Sequence, residues 1–526
     1  MGDAVDFLDK FNVRRASDVT IRFTVTAASA PGAEPPAKRQ RCDAAGTEQQ
    51  QPQDQDQDRE QEQEQEQEQE QGGQPDGRQP SQERLRRVVR EIYGHSVILT
   101  KASEWAERML SPEWSAETPG VLDVELDDEG EVTAAELLFK SMYSTADAGR
   151  PLKGADQATL LQVLLLADRL RAERALSAAV NVLIATAGAG TADVLDWDTV
   201  HALYTLPLAV AKSKALKPLR RAAAVALQHR LGDLDAAWLD AARRAQLLAL
   251  PFEAVRQLVR DERTRVSSEN TVVYTIAAWI DAAGGDGCGA MQRAALAKHV
   301  RAPHLSSLYC ATAGSRLLTS WLPDISGADV HFAALFQEVD DGSMLQTRLL
   351  RAKGLPLARR SAWRLLPRPP SSVTEANVEW RLPLSEMRQL YERAAAAAAG
   401  SNPIEARSEA VVFQGCVWDA RVRPRKGKAG VVLDAHLHLR LPPGCGAASV
   451  LTALVGVEPR PQLADDAVTP PLRFTTWVFE AGSRQGRADA FGLGELKEWD
   501  EVVWRNKGLL GLDGRVGLRY TIKSVV

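Results

Sequence analysis

Apolar and polar positions alternate first at Val19, Ile21, Phe23 and Val25, set against Thr20, Arg22, Thr24 and Thr26. A period of two predicts a half-buried strand. Leu122, Val124 and Leu126 alternate with carboxylates and predict another. Between them, Trp105, Met109 and Leu110 fall near one helical face. A helical run ending at Tyr143 and strongly apolar helices from Leu160 to Leu176 complete a compact α/β unit. From 194 to 318 the periodicity is almost wholly helical. There Ser267 or Ser268 is placed to cap a helix in which Val272, Ile276 and Trp279 make one buried stripe. After 410 the pattern turns to short strands, Val412–Trp418, Val431–Leu441, Leu451–Val457 and Phe474–Phe479, which predict an antiparallel sandwich.

Between the first two strands the pattern stops. Residues 27–82 are Pro, Gly, Gln, Glu and Asp with almost no large apolar side chain. Such a segment cannot bury enough surface to offset its ordering entropy, so it is read as a disordered insertion. Closing so long a loop adds only about 2 to 3 kcal/mol, because loop entropy grows logarithmically. Inside it, Lys38, Arg39 and Arg41 form a basic cluster that reads either as a nuclear import signal or as incidental charge in a solvated loop.

The chain has 526 residues, enough for about three domains, and 44% hydrophobic content supplies real cores. A net charge of −5 gives no global attraction to nucleic acid or to an anionic membrane. Five dispersed cysteines argue against a disulfide framework and for a reducing compartment. Asp3, Asp6 and Asp9 near the start do not fit a signal peptide, and no apolar run is long enough to span a bilayer. The expectation is a soluble protein of the cytoplasm, the nucleus or both.

Catalytic and metal chemistry find little purchase. His436 and His438 share one face of a strand, but neither acid nor cysteine is placed with them in the sequence. The glycines near Gly284 lack the Lys-Ser/Thr end of a phosphate loop. No nucleophile elbow is recognisable. The basic run Arg421–Lys428 reads as a charged hairpin tip. No cofactor, catalytic residue or metal ligand is assigned, and the chain is not read as an enzyme.

The order of an Asp18-Val19-Thr20 strand, His95 with Leu99, Ser103, Met109-Leu110, an acidic strand and Tyr143 resembles a BTB/POZ domain over most of residues 16–186. Two positions depart from that family: Ala135, eight before the tyrosine, where a large apolar residue is usual, and Ala179, where cysteine is common. The Leu250-Pro251 and Ser-Glu spacings before two helices resemble a BACK domain over roughly 190–320. Phe413-x-Gly415, Trp418, an alternating strand, Phe491–Leu496 and Asp513 resemble a MATH/TRAF-like sandwich over about 410–526. The expected organisation is multidomain. An α/β BTB/POZ domain (1–186) carries the insertion 27–82. An all-α BACK domain (187–325), a linker with a helix (326–405) and a MATH/TRAF-like antiparallel β-sandwich (406–526) follow.

The resemblance implies a homodimeric adaptor of a cullin-3 RING ubiquitin ligase. The first domain would dimerise through its first helix and strand, led by Phe7, Leu8 and Phe11, and dock cullin-3. The sandwich would hold an unidentified protein substrate, raising its effective concentration near the ubiquitin-loaded partner. Neither nucleic acid nor membrane is an implied partner. The alternative is a BTB-based scaffold or transcription cofactor without ubiquitin transfer, which Ala135 and the long insertion favour if they weaken cullin docking.

Overall fold

The computed structural model describes residues 7–26, 86–114, 119–186, 195–284, 288–335, 360–397, 404–445, 450–460, 474–480, 484–487, 491, 493–507, 509–510 and 513–525. The insertion 27–82, with Lys38, Arg39 and Arg41, lies outside them. The chain divides into two compact units, 1–182 and 183–526. Among the described residues, no helix is long and apolar enough to cross a membrane.

In the first unit, strand β1 (Val19–Thr26) is the middle of three. It runs antiparallel to β2 (Arg86–Gly94) and parallel to β3 (Val121–Leu126), with Val19 opposite Gly94 and Ile21 opposite Leu122. The predicted alternation holds at Val19, Ile21, Phe23, Leu122, Val124 and Leu126, all buried, but fails at the end of β1, where the register with β2 shifts between Phe23 and Thr24, so that Thr24 is buried and Val25 only half-buried. Helices α1 (Ser96–Ala102), α2 (Glu104–Met109), α3 (Val132–Tyr143), α4 (Gln157–Arg169) and α5 (Glu173–Thr186) complete the unit. The Phe139 ring of α3 packs 5.9 Å from Phe23. At Gly94 a Cβ would meet Ile21 and Leu99 side chains at 3.1 Å, so β2 reaches α1 only with glycine there.

The lead-in is a correction. Residues 1–15 are expected to form a short helix. The described part makes two 3₁₀ turns instead, Leu8–Lys10 and Arg14–Ala16. The cause lies at Asn12, which takes a left-handed φ of 58° that no helix continues. Its N–H donates to the Tyr93 carbonyl at 3.2 Å, and its Oδ1 accepts from Tyr93 N–H at 2.9 Å. The chain is thereby tied to the end of β2.

The second unit opens with α6 (Trp197–Thr205), α7 (Leu208–Ala211), α8 (Lys217–Leu231), α9 (Leu234–Leu239), α10 (Ala241–Leu248), α11 (Phe252–Arg260) and α12 (Glu269–Ala282). It continues with α13 (Ala290–Ala297), α14 (Ser307–Tyr309), a π turn (Cys310–Gly314), α15 (Ser315–Trp321) and α16 (Gly327–Leu335). Of the two candidate caps, Ser268 closes α12, its side chain accepting from Asn270 N–H. Val272, Ile276 and Trp279 are buried as expected, but so is every residue from Glu269 to Ile280. The reason is enclosure: α9, α10 and α13 pack on α12, and so does the β-rich part of the chain. A Cβ on Gly415, whose φ is 75°, would overlap the Asn270 carbonyl. The stretches expected as separate helical and sandwich domains therefore form one compact unit.

Among the described residues the β part has two sheets. One runs β10 (Phe474–Glu480), β9 (Val450–Arg460), β12 (Arg515–Val525), β4 (Ala376–Pro383). The other runs β11 (Arg484–Arg487), β8 (Val431–Arg440), β7 (Cys416–Lys426), β5 (Ala406–Arg407), with β6 (Val411–Phe413) also on β7. All pairings are antiparallel. The sheets meet where β4 lies against β6 and β7, and helix α17 (Leu384–Ala396) packs on strands of both. Thus residues 326–405 are more than a linker. They supply α16, an edge strand and a packed helix.

Candidate functional site

A groove of about 840 Å³ lies beside α1 in the first unit. Its walls are α1 and α2, the end of α3 and the start of α5. Hydrogen bonds between distant parts of the chain fix these walls. Asp18, just before β1, accepts from Ser96 N–H at 2.8 Å and from Ser96 Oγ at 2.5 Å, capping α1. Burial pushes the Asp18 carboxyl up, but these bonds outweigh it and hold the carboxyl below its ordinary range.

His95 sits at the N-cap of α1, and its N–H donates to Tyr143 Oη at 2.6 Å. Its Nδ1 lies 3.1 Å from the same oxygen. The His95 ring also packs edge-on against Tyr143. Tyr143 is fully buried, which pushes its phenol up to about 12, so it stays a neutral anchor. Ser103 caps α2 and donates to the Leu170 carbonyl at 2.5 Å. Arg174, at the start of α5, donates to the Ser144 carbonyl at 3.3 Å and to the Thr145 carbonyl.

The groove joins apolar and charged surface. Val97 and Phe7 line it and are 65% and 36% exposed. Lys10, Lys101 and Arg171 lie among Glu104, Glu107 and Glu173 along it. Such a mixture of apolar faces and both signs of charge suits a protein surface better than a small anion. Arg171 holds a left-handed φ of 51° at the end of α4.

The three aromatic and aliphatic candidates are not equivalent. Phe7 lines the groove, and its N–H donates to the Tyr143 carbonyl at 3.3 Å. Leu8 is half-buried in the first 3₁₀ turn. Phe11 is turned onto its own chain, edge-on to Tyr143 with centroids 5.3 Å apart and Lys140 over its face. Val97 and Lys101 are missed by sequence reasoning, since only the position of α1 on the sheet shows which face of it stays open. Ala135 is 1% exposed, so its small side chain shapes the core under α3 and does not thin a surface. Its neighbour Glu136 is exposed enough to pair with Arg90 at 3.0 Å.

Elsewhere two expectations are corrected. His438 does have an acidic neighbour: Asp419 sits opposite it in the β7–β8 register, 3.4 Å away. Arg421 Nη2 lies 2.9 Å from His438 Nδ1, and its Nε donates to Asp419 at 2.5 Å. Burial pushes the Asp419 carboxyl up, but the His438 and Arg421 bonds outweigh it and hold the group far below its ordinary range. The basic run is not a hairpin tip either. Arg421, Arg423, Arg425 and Lys426 lie within β7, with Arg425 paired to Asp434 at 3.0 Å, and only Lys428 falls in the turn. Among the described residues, no group of three or more His, Cys, Asp or Glu is placed to hold a metal ion.

No protein-family model matches the chain, and no curated protein matches it significantly.

Proposed function

We propose that the chain is a BTB–BACK–MATH-type homodimeric adaptor that brings a protein substrate to a cullin-3 RING ubiquitin ligase. The observation that carries the reading is the groove beside α1. It is bounded by side chains that the domain's own folding leaves open, Val97 and Phe7, while the residues behind it are pinned by Asp18, Ser103 and Tyr143. A second copy is the occupant. Apolar surface of this kind, rimmed by charge, marks a protein contact.

The order of a strand, a hairpin partner, paired short helices, a parallel strand and three longer helices in the first unit supports the BTB/POZ resemblance. In this reading the helices of 195–335 set the distance to the β sheets. The sheets take the substrate, and the chain performs no bond chemistry.

The test is a pull-down of the full-length protein with purified cullin-3, beside light scattering for mass. A dimer that binds cullin-3 at micromolar affinity or better is the expected outcome. A dimer without binding overturns the ligase role and leaves a BTB-based scaffold or transcription cofactor. A monomer overturns the BTB assignment itself.

A further inference from the structure

We propose that Ser372 is a phosphoacceptor, and that its modification opens a latch held shut by Asp233. The latch lies in the segment between three prolines (Pro367, Pro369, Pro370) and the edge strand β4. Ser372 is exposed. Its N–H and its Oγ both donate to Asp233 Oδ2, at 2.7 and 2.8 Å. The other carboxylate oxygen, Oδ1, accepts from Ser371 Oγ at 2.6 Å and from Ala236 N–H at 3.2 Å. That last bond is the N-cap of α9. One carboxylate therefore closes both the strap that enters β4 and the first turn of a helix.

The chemistry of this contact is sensitive to charge in one direction. Burial pushes the Asp233 carboxyl up, yet the four hydrogen bonds outweigh it and keep the group below its ordinary range, hence ionised. A phosphoryl group on Ser372 Oγ removes a donor and places about −1.5 to −2 charge against that carboxylate. Asp235, two residues on, is a second buried carboxylate, and the neighbouring cation, Arg265, is held by its Nε on the Pro370 carbonyl at 2.9 Å. Repulsion expels residues 371–373 and strips α9 of its cap.

The sequence around the serine suits a kinase with a basic substrate cleft. Ser372-Val373-Thr374-Glu375 puts a carboxylate three residues after the hydroxyl, and Glu375 is exposed. Ser-x-x-Glu ordinarily opens a helix as a capping box. Here it leads into a strand, so Glu375 is free of that task. Charge patterns of this kind set kinase selectivity. The kinase supplies the phosphoryl group from a nucleoside triphosphate. The Oγ–P bond forms, the β–γ phosphoanhydride breaks, the hydroxyl proton passes to the kinase's base, and the nucleoside diphosphate leaves.

The experiment uses the full chain in two arms. In the first, phosphoserine is installed at 372 by genetic encoding, and amide exchange is compared with unmodified protein and with Ser372→Ala. Exchange at Ala236, Ser372 and Val373 should rise at least about tenfold above the Ser372→Ala protein. Equal exchange in the two proteins overturns the latch. In the second arm, native protein is incubated with an acid-directed Ser/Thr kinase and ATP. Phosphate on Ser372 that is lost with Glu375→Gln is expected. Labelling of Ser372 only in urea-unfolded chain, or at other residues alone, overturns its role as acceptor.

Discussion

Arg368 Nε donates to Glu269 Oε2 at 3.0 Å, and both side chains are only 1% exposed. The arginine comes from the proline-rich segment, the glutamate from the first turn of α12. The remaining guanidinium donors reach the carbonyls of Val259, Asp261 and His299. The second carboxylate oxygen accepts from Arg301 N–H at 2.9 Å. A dry ion pair offsets its desolvation only when every donor and acceptor is used, and here they nearly all are.

Removing one partner should therefore cost far more than removing both. Arg368→Met strands a buried carboxylate and three carbonyls, and should destabilise the second unit by about 3–5 kcal/mol. Glu269→Gln combined with Arg368→Met should recover part of that loss. Urea midpoints of the full-length protein and its three variants measure the cycle. Equal losses in Arg368→Met and in the double variant would show that the stranded carboxylate carries no cost of its own.

His299 lies beside this pair and carries the clearest pH signature. Burial, then Arg260, Arg256, Arg368 and Lys298 around it, lowers it from the ordinary 6.5 to about 4. The sign follows from proton binding. Between about 4 and 6.5 the unfolded chain takes up a proton that the folded chain refuses. Stability from this group is therefore present above pH 6.5 and is lost as pH falls through that window. Imidazole resonances of ¹³C-labelled histidine should show His299 neutral down to about pH 4. Arg260→Gln should raise its titration point, since one repelling cation is gone. A titration near the ordinary value in the native protein would show that the surroundings do not bury it.

Arg171 occupies a position that backbone geometry reserves for glycine. Helix α4 ends with the Ala172 N–H on the Ala167 carbonyl at 2.8 Å, and Arg171 between them holds φ at 51°. That is the left-handed residue of a Schellman end. A side chain there costs roughly 1–2 kcal/mol relative to its relaxed backbone. Arg171→Gly should raise stability by about 1 kcal/mol, after the greater freedom of glycine in the unfolded chain is subtracted. Thermal unfolding checks it. A fall in stability would show that the Arg171 side chain makes contacts worth more than the strain.

Local pattern carried the first unit well and the second only in part. Period-two alternation marked β1 and β3 because each has one buried face, and Ser268 announced the start of α12 by its capping chemistry. The burial of α12 on all sides was not legible, since its second covering surface arrives from residues near 415. The 3₁₀ lead-in was hidden for a similar reason: Asn12 is turned by Tyr93, eighty-one residues away. Asp419 went unnoticed beside His438 because strand register, which sequence leaves open, puts them opposite each other. The groove shares this origin, as Val97 is an ordinary apolar residue until α1 is laid on the sheet.

Val97 offers the sharpest test of that groove. At 65% exposure it contributes little to the folding of its own chain, so Val97→Glu should leave thermal stability within about 0.5 kcal/mol of the parent. If a second copy covers α1, the new carboxylate is buried against the partner, and Lys101 one helical turn on offsets only part of the charge. Desolvating it should weaken self-association by at least about a hundredfold. Light scattering across a dilution series should then show the variant as monomer at concentrations where the parent is dimer. Phe11→Ala makes the instructive contrast. Phe11 packs on Tyr143 within the same chain, so its loss should lower stability first and association only through unfolding. A Val97→Glu protein that stays dimeric would move the dimer contact away from α1.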